Sequence, residues 1–330
     1  MARKKKIIDY NDDYLNLLAK QGYHIIGNHS GIKPCKWFHE SLRGGELCYK
    51  AKFYGIRSHQ CMQSTSCLQF CTNSCVFCWR QMPEKEEDDT PNNSFKWDDP
   101  KFIVDGLIKE QLKFVQGYKG YDKCPPDRLE EAFDPKLLTL SLTGEPTIYP
   151  YLSDLIGEAK KRGRYVFLVT NGALPERLEK LENLPTQLYV SMDAPDEETY
   201  FLVCRPHSKT GWEKYLKTLD YMKKIKGKTR TVLRMTLVRD RNDHGWEGYA
   251  KQIKQAEPDY VEVKSFVFVG GARNPERGLR LEDMLKMDEI REIGKILANL
   301  TGYVLTDEHV SSRVVLLCRD KKAIDERFIE

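Results

Sequence analysis

Three cysteines, Cys71, Cys75 and Cys78, stand in the run Cys71-Thr72-Asn73-Ser74-Cys75-Val76-Phe77-Cys78, spaced Cys-x3-Cys-x2-Cys with an aromatic residue directly before the last. A loop this short can wrap three thiolates around three corners of a cubane 4Fe-4S cluster, leaving the fourth iron without a local protein ligand. An open iron is of no use for plain electron storage, but it suits a small chelating molecule that must bind the metal. Zinc is the alternative. Structural zinc usually takes paired ligands, with Cys-x2-Cys repeated further along, and this chain has no second such pair. Cys67 lies four residues before Cys71, yet only the register 71, 75, 78 has the three-then-two spacing.

Cys35, Cys48 and Cys61 lie upstream at intervals of thirteen residues. No secondary structure has that period, so the interval itself carries no physics. They are either ligands of a second 4Fe-4S cluster, again with an open iron, or buried thiols of an ordinary core. Cys67, Cys124, Cys204 and Cys318 have no partners at ligand spacing and read as structural.

The elements that must position these thiols follow from the apolar pattern. The chain has 330 residues, enough for one large α/β domain or two ordinary ones. Its basic start, Met1 to Lys6, leads into Ile7-Ile8-Asp9-Tyr10 without a long apolar run, so no signal peptide and no membrane span is expected. That predicts a cytoplasmic protein, where disulfides are rare and clustered cysteines bind metals. The net charge of +4 does not by itself establish nucleic-acid binding.

Residues 1–60 read as an N-terminal extension supplying the upstream cysteines, and residues 61–330 as one α/β unit. The stretch 83–100, acidic and bounded by prolines, reads as a solvated loop. A first strand is expected within 61–70, then strands at 137–142, 165–170, 187–192, 231–238, 260–269 and 314–317. Helices are expected at 100–116, around 152–159, near 178–181, and at 212–225, 246–255 and 284–300. Short apolar strands alternating with helices predict a parallel sheet. About six units are too few for a closed eight-unit barrel, so an open partial (β/α)6 barrel is expected. Polar residues collect at the strand ends where such sheets place their sites: Gly144, Glu145 and Pro146, then Asn171, then Ser191 and Asp193.

The cysteine loop and the later Gly144-Glu145-Pro146 turn together resemble the radical S-adenosylmethionine (SAM) enzymes. The resemblance implies that SAM fills the open iron and is cleaved by one electron to methionine and a 5′-deoxyadenosyl radical. It implies a SAM site in which Glu145 or nearby carbonyls accept from the SAM ammonium. Asn171, Ser191 and Asp193 would meet its carboxylate and ribose, and Lys264 would lie near its adenine.

The block Cys48-Tyr49-Lys50-Ala51-Lys52-Phe53-Tyr54-Gly55-Ile56-Arg57-Ser58-His59-Gln60-Cys61, followed by the cysteine loop and Trp79-Arg80, resembles the archaeal 4-demethylwyosine synthase family across essentially the whole chain. That implies two 4Fe-4S clusters and a tRNA(Phe) substrate carrying N1-methylguanosine-37. The methylated base would be joined to a two-carbon unit of pyruvate to form the tricyclic 4-demethylwyosine. A nucleophilic lysine would hold pyruvate as a Schiff base. Lys50 is the first candidate and Lys52 the alternative, the two sharing a face if the segment is extended. Eukaryotic relatives carry an added flavodoxin-like domain. Only seventy residues precede the cluster loop here, so an external flavodoxin- or ferredoxin-like electron donor is expected, with the enzyme a monomer.

For the RNA, Lys223, Lys224, Lys226, Lys228 and Arg230 form a basic loop, and Trp79 with Arg80 follows the cluster loop directly, where a splayed-out base could be received. Two other readings stay open: a radical SAM enzyme acting on a peptide or small molecule, and a zinc-stabilised RNA-binding protein without catalysis.

Overall fold

The structure, a computed structural model, describes residues 12–80 and 95–329. The basic arm Arg3 to Lys6 and most of the acidic stretch lie outside the described residues. Ten strands form one sheet in the order β1-β2-β3-β4-β5-β6-β7-β8-β10-β9. They are β1 (His24–Ile26), β2 (Ser30–Ile32), β3 (Cys61–Thr65), β4 (Leu137–Leu140), β5 (Tyr165–Thr170), β6 (Gln187–Ser191), β7 (Arg230–Leu237), β8 (Tyr260–Ser265), β9 (Val304–His309) and β10 (Val314–Cys318). Strands β3 to β8 run parallel. The hairpin β1–β2 joins one side antiparallel and β10–β9 the other. β1 and β9 do not pair with each other, so the six-strand parallel barrel stays open, as the count of units predicts.

The first sixty residues carry no clear periodicity, yet they build α1 (Asp12–Lys20), β1, β2, α2 (Lys36–Leu42) and α3 (Tyr49–Tyr54). Three-residue strands are too short to show alternation, which is why the hairpin escaped the pattern. The expected helices are α4 (Pro100–Gln116), α6 (Leu152–Lys161), α7 (Pro175–Leu178), α9 (Gly211–Lys224), α10 (Trp246–Ala256) and α11 (Met287–Thr301). Added to them are α5 (Pro126–Ala132), α8 (Glu197–Val203) and α12 (Lys321–Asp325). Helix α4 shows the local logic. Asp99 caps its first turn by accepting from the Lys101 and Phe102 amides at 2.9 and 3.2 Å, Pro100 opens it, Ile103, Val104 and Leu107 join the core under the sheet, and Val115 packs with Phe38 and Leu42 of α2.

The core divides at the sheet. Outside, alternate strand residues such as Leu138, Val166, Leu188, Val261 and Val263 pack under the helices. Inside, Leu137, Phe167, Tyr189, Val232 and Tyr260 meet α3, which enters the barrel with Tyr49, Phe53 and Tyr54. Tyr54 lies edge-on to Phe167, Tyr189 and Tyr260 at ring separations of 5.3–6.4 Å. Among the described residues no helix is long and apolar enough to cross a membrane. Because α3 fills the barrel, Phe53→Ala is expected to cost about 3–5 kcal/mol of unfolding free energy in a urea titration.

Candidate active site

The cysteine loop leaves the C-terminal end of β3 and is braced on several sides. The Glu145 amide donates to the Phe70 carbonyl at 2.8 Å, the Ser74 and Val76 amides donate to Arg205 and Val203, and His207 donates to Thr72. Gly144 has a φ of +69°. A Cβ there would run into the carbonyls of Cys67 and Phe70, so glycine is needed for the turn to pass so close beneath the loop.

Across the loop, Arg277 donates from Nη1 to the carbonyls of Cys75, at 3.3 Å, and of Cys78, and from Nη2 to that of Arg80 at 3.4 Å. The Gly271 amide donates to the Trp79 carbonyl at 2.7 Å, and side chains at Gly270 or Gly271 would collide with this segment. Arg277 was invisible to spacing arguments because it lies about two hundred residues from the loop. The Gly270-Gly271 pair just past a strand was its one local signal.

Glu145 differs from expectation. Its carboxylate is buried and already accepts from Thr147 Oγ1 at 2.6 Å, Thr147 N at 3.1 Å, Thr170 Oγ1 at 2.7 Å and Asn171 N at 2.8 Å. It braces the turn, which leaves backbone carbonyls for an ammonium ligand. Pro146 opens the buried turn that follows. Asn171 donates from Nδ2 to Thr72 Oγ1 at 2.8 Å and lies 3.9 Å from the Cys71 sulfur. Ser191 closes β6, partly accessible. Asp193 accepts from the Thr236 amide at 2.7 Å, and burial pushes its carboxyl up to about 7, against the pull of Arg234. Lys264 points into the barrel, donates from Nζ to the Ser312 carbonyl at 2.5 Å and sits 6.0 Å from the Tyr49 ring. Its side chain reaches α3, while its backbone lies one residue before the C-terminal end of β8, paired with Thr236, and burial lowers its ammonium to about 8.

The thiols sort by accessibility. Cys48, Cys67, Cys124, Cys204 and Cys318 are buried, whereas Cys35, Cys61, Cys71, Cys75 and Cys78 keep some accessible surface. Burial raises the Cys71 and Cys78 thiols, and each feels the others' charge. They need a strong positive centre to become thiolates, which cluster iron supplies. Three thiolates at this spacing suit three corners of a cubane cluster. Residues Cys71, Cys75 and Cys78 would hold it.

Cys35 and Cys48 precede the first residues of α2 and α3, and Cys61 opens β3. Burial pushes the Cys35 thiol up to about 11 and that of Cys61 up to about 12. Cys48 acts electrostatically on Cys35, Cys35 and Cys48 act on Cys61, and Lys50 lowers both. The three upstream cysteines thus lie within electrostatic reach of one another and of Lys50. The expected shared face of Lys50 and Lys52 does not form, because the segment is helical and residues two apart point about 200° from each other. Lys50 enters the barrel, its Nζ 4.6 Å from the Tyr189 ring centre and 5.4 Å from that of Phe167. Burial lowers its ammonium pKa and Arg234 adds to that, while Glu262 opposes. Lys52 turns outward, its side chain 52% exposed and paired with Asp307 at 3.0 Å, which leaves it remote from the interior.

The basic loop is placed at the opposite end of the barrel. Lys223, Lys224, Lys226, Lys228 and Arg230 precede β7, at the N-terminal edge of the sheet. Lys228 and Arg230 there line a cavity of about 760 Å³ with Lys160, Arg164, Arg319 and Lys322. Lys223 and Lys226 are paired with Glu257 at 2.8 and 2.5 Å and Lys224 with Glu179 at 3.9 Å, and Arg230 packs on Tyr54 and Tyr260. Two carboxylates thus pair with three of the five cations, and the group faces away from the cysteine loop. Arg80 is 4% exposed and donates to Tyr23 Oη at 2.8 Å, so it is no surface phosphate ligand. Trp79, 41% exposed, lies beside the loop with the Arg80 guanidinium over one face of its ring.

Residues 65–253 match the model of the radical SAM superfamily, the class this fold and cysteine loop define. Residues 255–319 match a model for wyosine base formation. A Pyrococcus abyssi protein named S-adenosyl-L-methionine-dependent tRNA 4-demethylwyosine synthase is 47% identical, covering 97% of this chain and 94% of its own. Its namesake from Methanocaldococcus jannaschii is 36% identical over 96% and 99%. A solved structure of TYW1 with a lysine–pyruvate adduct bound superposes with a TM-score of 0.82 at 37% identity, covering 93% of this chain and 96% of that one. A crystal structure of archaeal TYW1 gives 0.75 at 34%, with the same coverage. The chain belongs to the SAM-dependent tRNA 4-demethylwyosine synthase family, and its class brings SAM and an iron–sulfur cluster. The non-catalytic zinc protein and the peptide-modifying enzyme both give way to that membership.

Arg277 ties the wyosine-forming region to the cluster loop. Arg277→Ala is expected to lose iron to a chelator about tenfold faster than the parent, the equivalent of one charge-assisted hydrogen bond of roughly 1.5 kcal/mol. Iron release followed optically against unchanged circular dichroism checks this.

Proposed function

We propose that this enzyme forms 4-demethylwyosine from N1-methylguanosine-37 of tRNA(Phe) and a two-carbon unit of pyruvate, with pyruvate held on Lys50 beside a second 4Fe-4S cluster ligated by Cys35, Cys48 and Cys61. The observation that carries it is that Lys50, which enters the barrel against Tyr189 and Phe167, lies within electrostatic reach of the three upstream thiols. The solved relative with a lysine–pyruvate adduct supports the same chemistry. Bound at the Cys71–Cys78 loop, the first cluster and SAM would supply the 5′-deoxyadenosyl radical.

The chain's own residues do the rest. Lys50, its pKa lowered, offers an amine to the pyruvate carbonyl, and the aromatic walls of Tyr189 and Phe167 keep that site poor in water. Trp79 gives the flipped guanine a stacking face at the mouth. The methyl carbon loses a hydrogen atom and joins the two-carbon unit, and the carboxylate carbon of pyruvate is released. Gly144, Asn171, Ser191 and Asp193 line or brace the SAM end, with Glu145 fixing their turn. The reading includes an external flavodoxin- or ferredoxin-like electron donor, a cytoplasmic setting and a monomeric enzyme.

Two measurements test it. After anaerobic reconstitution, the parent should hold about eight irons and the Cys35→Ala/Cys48→Ala/Cys61→Ala variant about four. About four in both removes the second cluster. Lys50→Ala should abolish both the borohydride-trapped pyruvate adduct and the tricyclic base while still cleaving SAM, and Lys52→Ala should retain all three. Product formation by Lys50→Ala would overturn the lysine assignment.

A further inference from the structure

We propose that the cavity at the N-terminal end of the barrel is a second binding site, one that takes a small anion carrying two or more phosphates. It lies at the first residues of β5, β7 and β8, Tyr165, Arg230 and Tyr260, and is bordered by the segment from Arg319 to Glu326. Its volume of about 760 Å³ admits a small ligand with room for water. The cysteine loop stands at the opposite end of the sheet, so SAM cleavage does not account for the charges gathered here.

The lining brings together six cations, Lys160, Arg164, Lys228, Arg230, Arg319 and Lys322, against two carboxylates, Asp259 and Glu326. That excess equals the net charge of +4 carried by the whole chain. The two acids do little to relieve it. Asp259 is engaged by Arg319 at 2.8 Å and by the Thr231 amide at 2.8 Å, and Glu326 reaches Lys322 only at 3.9 Å. Among the described residues Lys160, Lys228 and Arg230 pair with no carboxylate. Lys160 donates to the Leu184 carbonyl at 2.9 Å, and Arg230 donates from Nη2 to the Arg327 carbonyl at 2.5 Å. Arg164 and Arg230 each keep a buried Nε without a hydrogen-bond partner.

The neighbouring loop decides what kind of ligand fits. Lys223, Lys224 and Lys226 are paired with Glu257 and Glu179, so the exposed surface that a long polyanion would lie across is partly neutralised. The cations left without carboxylates are those that line the concave space. Like charges held together repel, and buried donors without acceptors cost free energy. A phosphate ligand removes both costs, through charge-assisted hydrogen bonds that Arg and Lys form well. Arg230 is held ready for it, packed over the rings of Tyr54 and Tyr260 at 5.4 and 5.2 Å.

The test is calorimetric titration of the reconstituted enzyme with inorganic pyrophosphate at low ionic strength, where exposed charges are least screened. One pyrophosphate per chain is expected to bind. Lys160→Ala/Lys228→Ala, at two exposed positions, is expected to weaken it at least about tenfold, with iron content and SAM cleavage unchanged. Lys160→Arg/Lys228→Arg conserves the charge and is expected to bind as the parent does. The absence of saturable binding by the parent overturns the proposal. Parental affinity in the alanine variant does so too, because it places the anion elsewhere, and loss in the arginine variant does so by removing charge as the cause. A second arm measures tRNA binding by the alanine variant, with parental affinity expected. A fall of about tenfold there assigns the cavity to RNA phosphates and overturns the small-ligand site.

Discussion

Helix α3 is the constraint from which the rest of the arrangement follows. An open six-strand barrel has an interior that must be filled, and here a six-residue helix fills it with Tyr49, Phe53 and Tyr54. Burying three such side chains is worth roughly 5–9 kcal/mol, enough to carry one desolvated cation inward at a cost of several kcal/mol. That cation is Lys50. The same insertion sets Cys48 at the helix start, opposite Cys61 on the first barrel strand. Lysine, thiols and aromatic wall are therefore consequences of one packing event, and loosening α3 would disturb all of them together.

The two ends of the sheet do different work. At the C-terminal end, glycine at 144 lets a turn pass under the cysteine loop, while Glu145 spends all its acceptor capacity holding Thr147, Thr170 and Asn171 in place. A carboxylate with four donors cannot easily rearrange, so the turn becomes a rigid floor for the loop. The roof comes from the far end of the sequence, through Arg277 and Gly271. The radical SAM and wyosine-forming regions thus meet at the backbone of the cluster loop. At the N-terminal end Glu257 and Glu179 pair with three of the basic residues, so part of a charge run so prominent in the sequence is neutralised in the fold.

Much of this was legible in the chain. The parallel strands are short and largely buried, with apolar residues under the apolar faces of the covering helices, which is why the six-unit barrel follows from periodicity. The cysteine loop and the Gly-Glu-Pro turn are local, and local patterns survive in sequence. The β1–β2 hairpin was lost because three residues show no period, and Arg277 because its partners are backbone carbonyls, which leave no sequence trace. Lys52 misled for a different reason: one-residue spacing from Lys50 has opposite meanings in a strand and a helix, and the six-residue segment was too short to show which it was.

Glu262 exposes the same limit from another side. In Tyr260-Val261-Glu262-Val263-Lys264 the polar residues alternate with apolar ones, which usually marks a strand with one face in water. Here that face turns into the barrel, so alternation marks a polar interior. A closed apolar core would have exchanged Glu262, Lys264 and Arg234 for aliphatic residues at a gain in stability. The charges oppose one another there: desolvation and Arg234 push the Lys50 amine toward its neutral form, and Glu262 pulls it back. Burial prevails and holds the ammonium below its ordinary value. Opposed charges set against aromatic walls are a setting no surface lysine has, and the insertion of α3 into an open barrel creates it.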